Sequence, residues 1–358
     1  MSKSKVKSAF CVCVALVLGV VGALSVAQRA IQSDSLKQDL TLAAAAFMMP
    51  EAGVRVLNVN NNEASSDTEK TLPQTTVIAS DDEQIPLSSA PVDLHEDEVH
   101  LPVVTSQYGE SGVSCSNFYI KDTIGNTDFD LLLDLPLGFE FENNDKVQVL
   151  IFHTHTTESY LEYDEGYYHE SFYPRSEDST KNMVSVGEEI AKSLRAKGIG
   201  VIHATEVHDS PEYTGAYDRS WETIEKYMEQ YPEIKVVLDI HRDSIAGENG
   251  TKVKPTFEVN GRKAAQIMIM AGCDLYADYG FPDWEYNLRF ALKLQKYAED
   301  MYPGMTRPLY FGSFAYNMPI SRGSLLIEVG TDVNTLSEAQ YTGNLLGNVL
   351  AKVLQTEA

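Results

Sequence analysis

Three largely apolar, β-branched runs in this chain lead into polar residues: Val147 to Ile151 (through Phe152), Ile234 to Leu238, and Ser324 to Ile327. Short continuous apolar runs of this kind read as strands buried on both faces. Between them the period changes. From Lys181 to Lys197, Val184, Ile190, Ala191 and Leu194 recur on one side of a helix that Gly198 stops, and Gly200-Val201-Ile202 leads the next strand. A second helix is expected from Tyr213 to Glu229, broken by Tyr231-Pro232, ahead of a central strand from Lys235 to Asp239. Ala264 to Ala271 reads as a strand, although Met268 and Met270 leave a helix open. Asn287 to Met301 is helical through Leu288, Ala291, Leu292, Leu294 and Ala298, ending near Pro303-Gly304. Leu325 to Glu328 is the last strand, and a helix runs from Leu336 to about Leu354. Strands separated by helices of this length predict an α/β fold, a mostly parallel or mixed central sheet with helices on both faces.

The amino-terminal third has another pattern. Residues 9–27 are apolar and uncharged, preceded by Lys3, Lys5 and Lys7. Nineteen residues rising about 1.5 Å each cover roughly 28 Å, close to the hydrocarbon thickness of a bilayer. Residues 1–8 are thus expected as a cytoplasmic tail and 9–27 as a transmembrane anchor, with the rest of the chain outside the cell. Ser25-Val26-Ala27 also has the small residues of a cleavage site, so a removable signal segment and a secreted protein stay open. From 28 to 107 the chain reads as an extracytoplasmic, largely disordered linker, with a short helix over 34–48. His95 and His100 fall in its acidic tract and are assigned to plain linker. The expected catalytic domain is 108–358, with 108–146 as a lead-in packed on its rim.

The whole chain carries 28 basic and 52 acidic residues, a formal charge of -24, which argues against a nucleic-acid partner. Outside the apolar segment only Cys115 and Cys273 remain, either as one disulfide or as two free thiols. No CxxC pair occurs, so thiolate metal sites are not expected.

The chemistry gathers at the strand ends. Phe152-His153-Thr154-His155-Thr156-Thr157-Glu158-Ser159 follows the first apolar run, Asp239-Ile240-His241-Arg242-Asp243-Ser244 the second, and Glu328 ends the third. Sites in α/β proteins are built at the carboxyl ends of strands. Histidine with carboxylate is the usual hydrolytic zinc donor set, with one position left for water. His153, His155, Glu158 and His241 are the candidate Zn2+ ligands, the two alternating histidines being expected on one face of an extended strand. Among neighbours, Asp243 is suited to orient an imidazole through its second nitrogen and Arg242 to grip a substrate carboxylate with both nitrogens. His203, His208 and Asp209 line the cleft or serve ordinary loop polarity. Arg219, Arg322, Tyr213, Tyr217 and Tyr316 either face a groove or form ion pairs and hydrogen bonds, and Trp284 and Tyr286 read as core or rim packing.

Val149 to Tyr160, the stretch around Asp239 to Asp243, Asn287 to Ala291, and Leu326 to Gly330 continuing through Asn334 to Ala339 closely resemble signatures of the stage II sporulation protein P family. The resemblance spans about residues 145 to 355. It implies a peptidoglycan hydrolase of the engulfment machinery in spore-forming bacteria, with N-acetylmuramoyl-L-alanine amidase action and, in some members, cleavage of peptide crosslinks. It also implies a fold related to the zinc amidases of cell separation, in which histidine, glutamate and histidine bind zinc and a later glutamate is catalytic. Carried over, the first histidine falls at His153 or His155, the second at His241 and the catalytic carboxylate at Glu328. Relatives place the middle ligand at the start of the first long helix, where this chain has Asn182 and Met183 before Glu188 and Glu189. Glu158 is the preferred substitute, the alternative being that both His153 and His155 bind. The implied partners are peptidoglycan, the membrane, a sporulation lytic transglycosylase and a membrane scaffold of the engulfment complex. The competing expectations are a wall-binding or scaffold protein without catalysis, and a zinc endopeptidase only.

Overall fold

A computed structural model describes residues 99–142, 144 and 146–357. The chain divides into two units, Met1–Thr75 and Thr76–Ala358, and the described residues fall in the second. The expected tail, membrane segment and helix over 34–48, with His95, lie outside them. Among the described residues no helix is long and apolar enough to cross a membrane.

In chain order the strands are β1 (His100–Ser106), β2 (Val113–Cys115), β3 (Phe118–Asp122), β4 (Val147–Phe152), β5 (Tyr167–His169), β6 (Gly200–His203), β7 (Val236–Asp243), β8 (Ile245–Ala246), β9 (Lys252–Val259), β10 (Arg262–Ala265), β11 (Ile267–Cys273), β12 (Leu309–Ser313) and β13 (Gly323–Thr331). The helices are α1 (Phe129–Asp134), α2 (Met183–Ala196), α3 (Ala216–Gln230), α4 (Trp284–Met301) and α5 (Leu336–Glu357). Eight strands form one mixed sheet in the order β2-β3-β12-β11-β13-β7-β4-β6. β4, β6, β7 and β13 run parallel, whereas β11 joins β13 antiparallel. The α/β class expected from the alternation is the fold observed.

Both faces of the central strands are covered. In β4, Val149 and Ile151 enter the core shared with α2, α4 and α5, while Leu150 and Phe152 meet Ile224 of α3 on the other face. This alternation is why the run is apolar at every position from Val149 to Phe152. The helix starts are chemically marked. Asn182 Oδ1 accepts the Val184 N–H at 3.0 Å ahead of α2. At α5, Thr335 and Glu338 form a reciprocal capping box, Glu338 Oε2 accepting Thr335 N–H at 3.0 Å and Thr335 Oγ1 accepting Glu338 N–H at 3.2 Å.

Two expectations change. Strand structure begins at His100, inside the stretch expected as linker, because β1 pairs parallel with β9 and antiparallel with β5 in a second, smaller sheet. Past the acidic tract the strand runs through Leu101-Pro102-Val103-Val104, and sheet pairing supplies partners for its backbone; His100 stacks on Tyr167. Residues 108–146 are not a rim loop: β2 and β3 form one end of the main sheet, and Phe118 and Ile120 are core residues. Cys115 and Cys273 are buried free thiols.

Candidate active site

β13, β7 and β4 are neighbours in the sheet, parallel, and aligned so that Glu328 pairs with His241 and Phe152 with Asp239. Their carboxyl ends therefore open at one edge, where sheets of this class hold their sites. After Phe152 the chain leaves the strand and crosses the interior, and every residue from His153 to Tyr160 is buried. A buried loop must satisfy its own polar groups, and the threonines do this. Thr154 donates from its backbone to Asp239 Oδ1 at 2.9 Å and from its hydroxyl to Oδ2 at 2.7 Å. Thr157 donates likewise to Asp209, at 3.0 and 2.8 Å. Thr156 Oγ1 lies 2.8 Å from the His153 carbonyl oxygen.

The two histidines of the motif part company. Because the strand ends at Phe152, the two-residue alternation no longer governs, and the expectation of a shared face is corrected. His153 turns toward α2: its Nδ1–H donates to the Ile240 carbonyl at 2.8 Å, and its Nε2 lies 2.9 Å from His203 Nε2. His203 in turn meets Glu188 Oε2 at 3.1 Å. Burial, with His203 alongside, pushes His153 down to about 3, so it is a neutral ring.

His155 instead turns toward β7, with its ring centroid 5.2 Å from that of His241. Glu158 Oε2 stands 3.5 Å from His241 Nδ1, and Asp239 Oδ1 stands 2.8 Å from His241 Nε2, the latter without hydrogen-bond alignment. Burial works against a proton on His241, but Asp239 and Glu158 together hold it well above the ordinary histidine range. Burial likewise opposes ionisation of Glu158, but the Arg242 guanidinium and His241 outweigh it and hold the carboxyl at about 2. Burial, with His241 close by, pushes His155 down to about 4. Burial and the neighbouring Asp243 push Glu328 up to about 8. Its environment therefore favours the protonated carboxyl until a cation is supplied.

Three buried polar atoms around this point have no hydrogen-bond partner: His155 Nδ1, His241 Nε2 and Glu328 Oε2. Unsatisfied buried polar atoms are uncommon and call for a ligand, a water or an ion. Two imidazoles and the Glu158 carboxylate also suit zinc in donor type. Among the described residues, however, no three His, Cys, Asp or Glu side chains are already grouped so as to hold a metal. The His241 imidazole is engaged by its carboxylate neighbours instead. The residues fit the cation in chemistry, with His241 paired in its place.

The other expected residues fall into two sets. Tyr213 stacks on His155 with centroids 4.4 Å apart and its hydroxyl 2.9 Å from His155 Nε2. Tyr217 meets the same imidazole edge-on at 5.5 Å and stacks on Tyr316 at 5.2 Å, so all three tyrosines surround the site. The remainder are committed elsewhere. Arg242 is buried and donates to the Ser159 and Pro174 carbonyls at 3.3 and 2.8 Å, which leaves no fork for a substrate carboxylate. Asp243 does not orient His241: the buried Arg307 draws its carboxylate at 2.8 Å, and Asp239 takes that place beside the imidazole. Arg322 is a surface residue paired with Asp283 at 3.0 Å. His208 bridges the His153 carbonyl at 2.7 Å and Thr223 at 2.9 Å, as loop support. Asp209 anchors Thr157 and Arg175, and Arg219 holds loop carbonyls including that of His208 at 2.6 Å. At the helix start where the resemblance puts the middle ligand of relatives, Asn182 caps and Met183 is buried; Glu158, the preferred substitute, stands beside His241, as does Asp239.

Asp239, Arg175 and Arg307 were not singled out from sequence. Asp239 lies two residues before His241 on one strand, a same-face spacing that marks it. Arg175 and Arg307 reach the site from distant segments with no local signal.

The family model of stage II sporulation protein P matches residues 37–351. A curated relative, stage II sporulation protein P of Bacillus subtilis (strain 168), is 27% identical over 220 residues, covering 58% of this chain and 51% of the relative. The chain thus spans about half the length of that relative. Among solved structures, N-acetylmuramoyl-L-alanine amidase AmiC2 of Nostoc punctiforme is 13% identical with a TM-score of 0.35, covering 59% of this chain and 97% of that one. An N-acetylmuramoyl-L-alanine amidase from Clostridium difficile 630 is 17% identical with a TM-score of 0.34, covering 60% and 100%. With its model matched over most of the length, this chain belongs to the stage II sporulation protein P family.

Proposed function

We propose that the chain is a peptidoglycan hydrolase of sporulation, a zinc-dependent amidase cutting the N-acetylmuramoyl-L-alanine bond. The observation that carries the reading is the meeting of His155, Glu158, His241 and Glu328 at adjacent strand ends, with buried atoms that lack a hydrogen-bond partner on three of them. Family membership supports the sporulation setting, and the amide bond comes from the motif resemblance. His155, Glu158 and His241 would hold zinc, with Asp239 beside the second imidazole. Zinc, when bound, supplies Lewis acidity that polarises an amide carbonyl and lowers the pKa of water.

The chain's own residues do the rest. Glu328 accepts the proton of the attacking water and returns it to the departing nitrogen. Its Oε2 is shielded from solvent, and Arg307 across Asp243 keeps a cation behind that carboxylate. Tyr213 and Tyr217 close the site against His155 from the open side. Residues 9–27 would anchor the protein with its catalytic domain outside the membrane, where a lytic transglycosylase and a membrane scaffold would be partners.

The test is digestion of purified peptidoglycan by the full chain in detergent, with and without zinc, read by mass spectrometry. Zinc-dependent release of intact stem peptides is expected. Peptides cut at crosslinks but left on the glycan would replace the amidase by an endopeptidase, and folded protein that takes up no zinc would replace it by a wall-binding protein. Glu328→Gln is expected to keep fold and zinc while losing about 10²–10⁴-fold in turnover. Wild-type turnover in that variant sinks its assignment as the proton carrier.

A further inference from the structure

Beside the strand-end site lies a cavity of about 570 Å³, walled by Thr157, Tyr173, Arg175, Asp209, Ser210 and Tyr213. That volume falls within the ordinary range of ligand sites. Its inner wall is the site itself, since Thr157 precedes Glu158 and Tyr213 stacks on His155. Its rim carries two large exposed aromatics, Tyr173 at 73% and Tyr213 at 56% exposure. Tyr213 is held between the His155 ring on one side and the Arg175 guanidinium, 4.9 Å away, whereas Tyr173 presents its ring to solvent.

The charge pattern narrows the ligand. Among the described residues the one cation in the cavity wall, Arg175, is engaged by Asp209 Oδ2 at 2.5 Å and Thr157 Oγ1 at 3.2 Å, and lies 3.9 Å from Glu158. Glu177 also lines the cavity, with its carboxylate accepting from Ser210 at 2.5 Å. Carboxylates thus outnumber cations here, which disfavours an anionic ligand. Flat aromatic faces, hydroxyls, a carboxylate and no spare cation make up the chemistry that grips a neutral pyranose: its C–H face lies on a ring and its hydroxyls donate to oxygen acceptors.

The cavity does not stand alone. Tyr173, Arg175 and Ser176 also wall a second cavity of about 340 Å³, lined further by Tyr163, Tyr167 and Phe172. Two adjoining cavities across one aromatic ridge suit a repeating polymer better than a single small molecule. We propose that this pair of cavities is the glycan-side subsite, holding consecutive neutral pyranose rings of the wall polymer with Tyr173 as the stacking ridge. The assignment rests on the proposed peptidoglycan substrate and adds to it which half of that substrate lies on this side of the reacting bond.

Binding of the N-acetylglucosamine tetramer to the full chain in detergent, measured by titration calorimetry, tests it, with the free stem peptide as comparison. The tetramer is expected to bind, Tyr173→Ala to weaken it about tenfold or more, and Tyr173→Phe to stay within about threefold, because stacking needs the ring and not the hydroxyl. Tyr173 is exposed enough that neither change threatens the fold. A tetramer that does not bind, or that binds Tyr173→Ala as tightly as wild type, overturns the subsite. Hydrolysis of intact peptidoglycan by the same preparations is read separately. Tetramer binding without hydrolysis leaves the subsite standing and removes the amidase reading; hydrolysis without tetramer binding does the reverse.

Discussion

Gly187 occupies the point in α2 where two imidazoles face each other. A Cβ there would stand 2.5 Å from His203 Nε2 and 2.6 Å from His153 Nε2. Alanine is ordinarily better than glycine inside a helix by about 1 kcal/mol. Here the added methyl must push apart a buried pair whose far ends are tied to Ile240 and Glu188, and overpacking of this kind costs about 1–3 kcal/mol. Gly187→Ala is therefore expected to lower the urea midpoint; a variant as stable as wild type would mean that the His153 and His203 rings move aside freely. At this scale much of the site was legible. His155, Glu158, His241 and Glu328 each follow or end an apolar run, and strand ends are where the physics of α/β sheets places chemistry. The face expected to be shared by His153 and His155 was inferred from strand alternation one residue beyond the strand. Arg242 and Asp243 were misread because a charge in sequence does not disclose which buried partner will claim it. Arg175 and Arg307 could not be found at all, since only the tertiary fold brings them near.

β1 is the element whose loss the sequence pattern would have treated as harmless. Its residues alternate between exposed and half-buried, and its flanking tract is acidic, so nothing local separates it from linker. Yet it lies between β9 and β5 and pairs with both, from Val103 against Lys252 to Ser106 against Pro255 on one side, and from His100 against His169 to Pro102 against Tyr167 on the other. A chain beginning at Tyr108 would leave the β9 edge and β5 without partners. Losing the ladder bonds of four paired positions on β9 and three on β5, at about 1 kcal/mol per bond, predicts destabilisation of several kcal/mol relative to a chain beginning at Val99. The exposed β9 edge also predicts self-association. Thermal melts with light scattering on the two chains check both effects, and coincident melts would show that β1 contributes nothing. The helices were legible for the opposite reason. α2, α4 and α5 carry their own period, stop signals and caps, so their existence needs no distant partner to be inferred, although α4 starts three residues earlier than its apolar period does, at Trp284.

For the molecule as a whole, acid sensitivity follows from carboxylates that fold into favourable company far from the strand-end site. Glu357 is resisted by burial, but Lys293 and Tyr297 outweigh it and hold its carboxyl below the usual 4.5. Asp164, likewise resisted by burial, is drawn below 3.8 by Lys254 and Lys263. Asp274 is held below 3.8 by backbone N–H donors, chiefly that of Phe281. In each case the folded state keeps the ionised form to lower pH than the unfolded chain does. The unfolded chain therefore binds more protons through that interval, and stability falls as pH drops. The contribution is fully present above the unfolded values and is lost as pH falls through the lower folded ones. Protonation also relieves the repulsion of a chain with formal charge -24, which acts in the opposite direction, so the slope of wild-type stability alone would mix the two effects. Glu357→Gln separates them, because a single neutralised carboxylate barely alters the total charge but removes one linked group. The variant is expected to be less stable than wild type at pH 6 in urea titrations. The gap should narrow as pH falls through the folded value of Glu357, which lies below 4.5. A gap that does not change with pH anywhere below 4.5 would assign the loss to packing of the glutamate side chain against α4, not to its charge.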